Sequence, residues 1–330
     1  MPQDADYTPN PDRAIWIRGE LTKSLLERLR PQILDLTSRS REPITVFIDS
    51  NGGSTAAGNR IMVLLRSGED GTPACRIITV GLSKAQSAAA DLLSAGDFAI
   101  ASPGCMLLLH GSSIPMTHPI DSKSASWIAQ GMSSLNEKHS ISLTRRSLPR
   151  FRALVSALRP TFDHVRADAK NSGLSDLYCF QELVRRRLSP GGQKVLKLAA
   201  DNCGAYRGLL SCFESRMRKI GRVKRADVEK AMFNASAAFE FRTRRKRLNW
   251  GLGNGGLRRI NSSFFFLDEL FGNANGDGLS SICRPSPHTR EQDYFHFLPF
   301  FLAVAGALQE GENELTATDA LWLGLVDTVR

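Results

Sequence analysis

The chain has six cysteines, Cys75, Cys105, Cys179, Cys203, Cys212 and Cys283, and no Cys-x-x-Cys pair or metal-ligand spacing among them. That excludes a zinc ribbon and a dithiol redox motif, and it fits reduced thiols in the core of a cytoplasmic protein. The histidines are equally unpaired. His118, His139, His164, His288 and His296 show no spacing for a shared ion, so no metal or cofactor is expected. Long apolar runs are missing too. The most apolar stretch, FHFLPFFLAVAGAL at 295–308, carries Pro299 and is too short to span a bilayer, so it reads as a buried helix. The opening MPQDADYTPNPDRA is polar and proline-bearing, and no secretory signal is expected from it. No internal repeat occurs.

Positive charge, by contrast, is plentiful and uneven. The 330 residues carry a net charge of +10. Residues 145–259 hold 27 Lys and Arg against 9 Asp and Glu, a local surplus of +18, which leaves the remainder at −8. Two regions of opposite sign suggest two units with different surfaces. Hydrophobic content of 42% and charged content of 23% are ordinary for a globular chain able to bury one large core or two modest ones.

The first 110 residues alternate strand and helix signals. AIWIRG (14–19), ITVFID (44–49), CRIITVG (75–81), FAIA (98–101) and MLLLH (106–110) are short apolar strands. Between them lie a helix opened by Thr22, the turn SNGG before a helix over AAGNRIMVLLRS, and a short helix after Ser87 that Gly96 should cap. Continuous apolar strands alternating with helices predict a parallel sheet covered by helices. From about 115 to 300 this rhythm gives way to arginine-rich helical segments. The end, LTATDALWLGLVDTV, returns to it: Thr316 and Asp319 form a capping box, Gly324 ends the helix, and LVDTV can be a strand. A basic helical insertion over 141–300 thus interrupts an α/β domain made of 1–140 and 301–330.

AQSAAADLLSAG (85–96) sets the Ser87 hydroxyl beside three alanines. Two readings fit: small residues that let a helix sit close to a sheet, or space and backbone N–H groups around a nucleophile. Ser87 follows a strand and opens a helix, so the Ala88 N–H points outward at a positive helix end. Gly53, in NGG after another strand, leaves its own N–H unobstructed; with Ala88 it would make an oxyanion hole. His110 ends an apolar strand, where it is either a satisfied strand-end imidazole or the base that a serine requires. Asp91, one turn after Ser87, reads as a first-turn acid favouring the helix dipole.

The order FIDSNGG…AAG, GLSKAQSAAADLLSAGDFAIASPGCMLLLHGSS and LTATDALWLGLVD resembles the proteolytic subunit of Clp protease, in its shorter, phage-type form. The likeness covers about 14–140 and 310–330. It implies a crotonase-like α/β spiral, a Ser–His–acid triad and ring-shaped homo-oligomers, with SASWIAQGMSSLNEKH where the family's ring-contact helix lies. Carried over by residue, Ser87 is the nucleophile, His110 the general base, and Gly53 and Ala88 the oxyanion donors. The acid normally stands a few residues before LTA; QEGENE has no aspartate there, so Glu310 is the best-aligned carboxylate and Glu312 the fallback. The expected activity is that of a serine endopeptidase on peptides or unfolded proteins, with an ATPase chaperone as a possible partner. The alternatives are a scaffold or regulatory subunit that has lost the acid, or an acyl-CoA enzyme, against which the Ser–His pair speaks.

Other motifs fall away on their chemistry. NANGDG (273–278) begins like a calcium loop, but its twelfth position is Arg284 where a bidentate glutamate is required. GLGNGG (251–256) has no apolar strand before it. RTRRKR (242–247) and RVKRADVEKAMF (222–233) lack interleaved aromatics, so the basic insertion is expected to dock an acidic partner or substrate in preference to nucleic acid.

Overall fold

A computed structural model describes residues 7–66, 75–111, 121–204 and 300–330. The segments 222–233, 242–247, 249–256 and 272–278, with His118, His288, His296, Cys212 and Cys283, lie outside the described residues. The described chain divides into two compact units. One gathers Met1–His110, Arg146–Val195 and Gly311–Arg330; the other gathers Gly111–Arg145 and Leu196–Glu310.

The first unit is built on a sheet. β1 (Ala14–Leu21) leads to α1 (Lys23–Arg39), β2 (Ile44–Gly53), α2 (Thr55–Arg66), β3 (Ile77–Gln86), α3 (Ala88–Ser94), β4 (Phe98–Ala101) and β5 (Met106–His110). Helix α4 (Ser122–Leu158) precedes α5 (Phe162–Asp168), α6 (Asp176–Arg185), α7 over 190–204 and α8 over 300–307. β6 (Glu312–Thr316), α9 (Ala317–Trp322) and β7 (Thr328–Val329) complete the order. β1, β2, β3, β4 and β7 are parallel neighbours in that order, while β5 pairs parallel with β3 and antiparallel with β6. The first half of β3 pairs with β4 and its second half with β5, so the sheet forks along one strand. The parallel part of this mixed sheet is the one that the strand–helix rhythm predicts, and β6 adds one antiparallel strand.

Local signals explain most of the elements. Thr22 caps α1 by accepting from the Leu25 N–H at 3.1 Å, and Leu25, Leu26, Leu29, Ile33 and Leu36 face inward at helical spacing. Leu34, on the same apolar pattern, stays exposed. Thr316 and Asp319 form the reciprocal capping box of α9. Gly324 (φ +74°) ends α9 in a Schellman motif, in which the Leu325 N–H reaches Ala320 O at 2.8 Å and the Gly324 N–H reaches Leu321 O at 3.1 Å. α8 is buried on nearly every residue, as the apolar run predicts.

Two expectations are corrected. β2 continues through Ser50-Asn51-Gly52-Gly53 as strand, because Glu20 and Leu21 of β1 pair with Gly52 and Gly53. Gly96 is not a left-handed cap: α3 closes at Ala95 in right-handed geometry. Gly96 is small for a packing reason, since a Cβ there would lie 2.9 Å from Thr79 Cγ2 and 3.1 Å from Phe98 O.

Candidate active site

β2, β3 and β5 are parallel, so their carboxyl ends share one edge of the sheet, where open α/β sheets carry their chemistry. Gly52 and Gly53 end β2, Ser87 follows β3 and His110 ends β5. β6 runs the other way and begins at that same edge with Glu312.

Ser87 is the N-terminal flank of α3, yet its hydroxyl makes no capping hydrogen bond to the helix. Serines in that position usually cap. Its backbone stands at φ +53°, ψ −128°, a conformation that costs a non-glycine residue about 1–3 kcal/mol. Packing holds it there: the Ser87 N–H donates to Leu108 O at 2.6 Å, and Ser87 O accepts from Ala90 at 2.9 Å and Asp91 at 3.3 Å. The first N–H groups of a helix, here those of Ala88 and its neighbour, have no helical carbonyl to bond.

Gly52 approaches this turn most closely. A Cβ on it would collide with Gln86 O, come 2.7 Å from Ser87 Cβ and 3.2 Å from the Ala88 nitrogen. Its own N–H is taken by Ser50 Oγ at 3.0 Å. Gly53 (φ +127°) leaves no room for a side chain against β1, where a Cβ would lie 2.7 Å from Leu21 O. Both glycines are therefore obligatory, one against Ser87 and one against β1. The NGG motif carried that signal, but Gly52 was not singled out in the sequence.

The β5–β6 ladder places Glu312 directly opposite His110 and Glu314 opposite Leu108. Leu108 O bonds the Ser87 N–H on the β3 side, and Glu312 O bonds Lys194 Nζ at 3.2 Å on the outer side. Carbonyls that point away from the shared ladder mark non-hydrogen-bonded pairs, whose Cα atoms are about 4.5 Å apart and whose side chains approach most closely. His110 and Glu312 form such a pair, on the more open face of β5 and β6. Glu310 precedes the ladder; its N–H bonds Ala307 O at 3.1 Å after α8, and burial pushes its carboxyl pKa up. Asp91 is the half-buried residue of α3, whose other members are buried.

Cys105 and Asp49 lie behind this edge. Burial, reinforced by the Asp49 charge, pushes the Cys105 thiol up to about 11, which leaves it an unreactive thiol at neutral pH. Asp49 accepts a hydrogen bond from Ser83 Oγ at 2.5 Å.

A mainly parallel α/β sheet thus sets a strained Ser87 and His110 at one carboxyl edge. Residues 9–143 match the family model described as Clp protease. Among solved structures, a ClpP1 mutant from Listeria monocytogenes is similar at 23% identity, over 41% of this chain and 72% of that one, with a TM-score of 0.35. No curated protein matches the chain. Among the described residues no helix is long and apolar enough to cross a membrane.

Proposed function

We propose that the protein is a serine endopeptidase in which Ser87, His110 and Glu312 act together. The observation that carries this reading is the register of His110 against Glu312 beside a serine whose hydroxyl its own helix does not use. Ser87 Oγ attacks the peptide carbonyl while His110 takes the hydroxyl proton and returns it to the leaving amine. The acyl group stays on Ser87 until water, activated by the same imidazole, releases it. The N–H groups of Ala88 and Gly53 hold the tetrahedral oxyanion. Glu312 orients the imidazole and stabilises its protonated form. This assignment takes the acid from the ladder in preference to Glu310. Substrates are peptides or unfolded proteins lying extended beside the site, and the assembly is a homo-oligomer that encloses it.

A fluorophosphonate probe tests the reading. The wild-type protein should gain one adduct by intact mass, and Ser87→Ala none. An unmodified wild-type mass after prolonged exposure at saturating probe would sink it.

A further inference from the structure

β6 is an edge strand, paired on one side with β5 and on the other with no strand among the described residues. Such an edge exposes a row of unpaired backbone groups. Here the open side is covered by α7. Ser189, which precedes that helix, gives its N–H to Asp319 Oδ1 at 2.7 Å and its hydroxyl to Asp319 Oδ2 at 2.5 Å. The same carboxylate accepts from the Thr316 N–H at 2.8 Å and the Thr316 hydroxyl at 2.9 Å. Asp319 is fully buried. One carboxylate therefore joins the start of α7 to the residue where β6 becomes α9.

Two glycines let the helix come that close. A Cβ on Gly191 would overlap Glu314 O, and one on Gly192 would lie 2.9 Å from Asp319 Cγ. One turn further, Lys194 reaches Glu312 O. Glu312 and Glu314, the two alternate residues whose carbonyls face outward, are thus the two that α7 touches.

We infer that α7 is a brace for β6, and that Gly191 and Lys194 are positioning residues that keep Glu312 in register with His110. The catalytic part of this inference rests on the peptidase reading; the mechanical part stands without it. The experiment compares full-length wild type, Gly191→Ala, Lys194→Met, Lys194→Arg and Gly204→Ala. Gly204 lies on the same helix with nothing among the described residues within 4 Å of where a Cβ would be, so its variant controls for changes to α7 itself.

Amide hydrogen exchange over 311–316 should quicken at least tenfold in Gly191→Ala and at least threefold in Lys194→Met. Lys194→Arg and Gly204→Ala should match wild type. Fluorophosphonate labelling of Ser87 should slow in the same order, with Lys194→Arg restoring it. If Gly191→Ala does not fold, the Lys194 pair decides the matter alone. Unchanged exchange in Lys194→Met and in any folded Gly191→Ala overturns the brace. Quickened exchange with labelling unchanged overturns its catalytic part. Quickened exchange in a protein that takes no label in any form supports the brace and rejects the peptidase reading.

Discussion

Glu310 and Glu312 stand two residues apart, yet their surroundings differ in kind. Glu312 occupies a ladder position across from an imidazole, whereas Glu310 sits in a turn where burial raises its pKa. Glu312→Gln should cut Ser87 labelling by about 10²- to 10⁴-fold, the scale of losing an orienting acid. Glu310→Gln in the same kinetic assay tests the other carboxylate: a loss of that size there, with Glu312→Gln near wild type, would move the acid to Glu310. The raised pKa of Glu310 gives a separate, pH-dependent expectation. A carboxyl whose folded pKa lies above its unfolded value contributes stability below the unfolded value, and loses it as pH rises through the folded one. Glu310→Gln should therefore raise the melting temperature relative to wild type at pH 7 and not at pH 4, as calorimetry at the two pH values would show. Cys105, held protonated by burial, should resist iodoacetamide in the native protein at pH 8 and react once unfolded. Peptide mass mapping reads both states.

At the level of elements, α3 is held at both ends, and the far end depends on α4. Arg150, almost entirely buried, donates Nη1 to Ser94 O at 2.9 Å and Nη2 to Gly96 O at 2.7 Å, beyond the last turn of α3. It also binds Leu325 O at 3.2 Å and pairs with Asp327 at 2.7 Å, while Asp327 accepts the Ala99 N–H. Its charge sits where a helix C-terminus favours a cation. Arg150→Met takes a cation from a half-buried carboxylate and a donor from three carbonyls. It should cost about 3–5 kcal/mol in denaturant unfolding, as removal of one partner from a buried pair does. None of this was legible in an arginine-rich run, because the acceptors come from segments distant in sequence. What was legible was local: the Thr22 cap, the Thr316–Asp319 box, the Gly324 terminus, and Ser87 opening a helix after a strand. The Gly96 reading failed because its smallness answers to Thr79 on another element. The pairing of Glu312 with His110 was not legible either, since QEGENE has no alternation of its own and its register is set by β5. The Ser189-Pro190-Gly191-Gly192 stretch did carry a helix-start signal that could have located α7.

At the level of the molecule, the first unit recruits residues 146–195 into the same body as the sheet. A deletion from 146 to 195 should abolish both folding of the sheet unit and Ser87 labelling, whereas a deletion confined to 222–259 should spare them; circular dichroism and the probe distinguish the two. We propose that the surplus of positive charge over 145–259 docks an acidic partner or, failing that, nucleic acid. Retention on heparin should be strong at low salt and fall steeply as salt approaches physiological strength, where screening acts over about 8 Å. Neutralising Arg244, Arg245 and Arg247 should shorten that retention. Light scattering at micromolar concentration should give a mass of several chains; a strict monomer would count against an enclosed peptidase.

The fork in the sheet also has a consequence in time. Ser87 and His110 leave the ribosome early, but β6, which brings Glu312 across from His110, follows about 200 residues later, a lag of roughly 10–40 s at ordinary elongation rates. During that interval β5 has no antiparallel neighbour and the imidazole no facing carboxylate. On the proposed mechanism, a nascent chain of this design carries Ser87 through synthesis without its orienting acid, which would spare neighbouring unfolded chains until β6 closes the ladder.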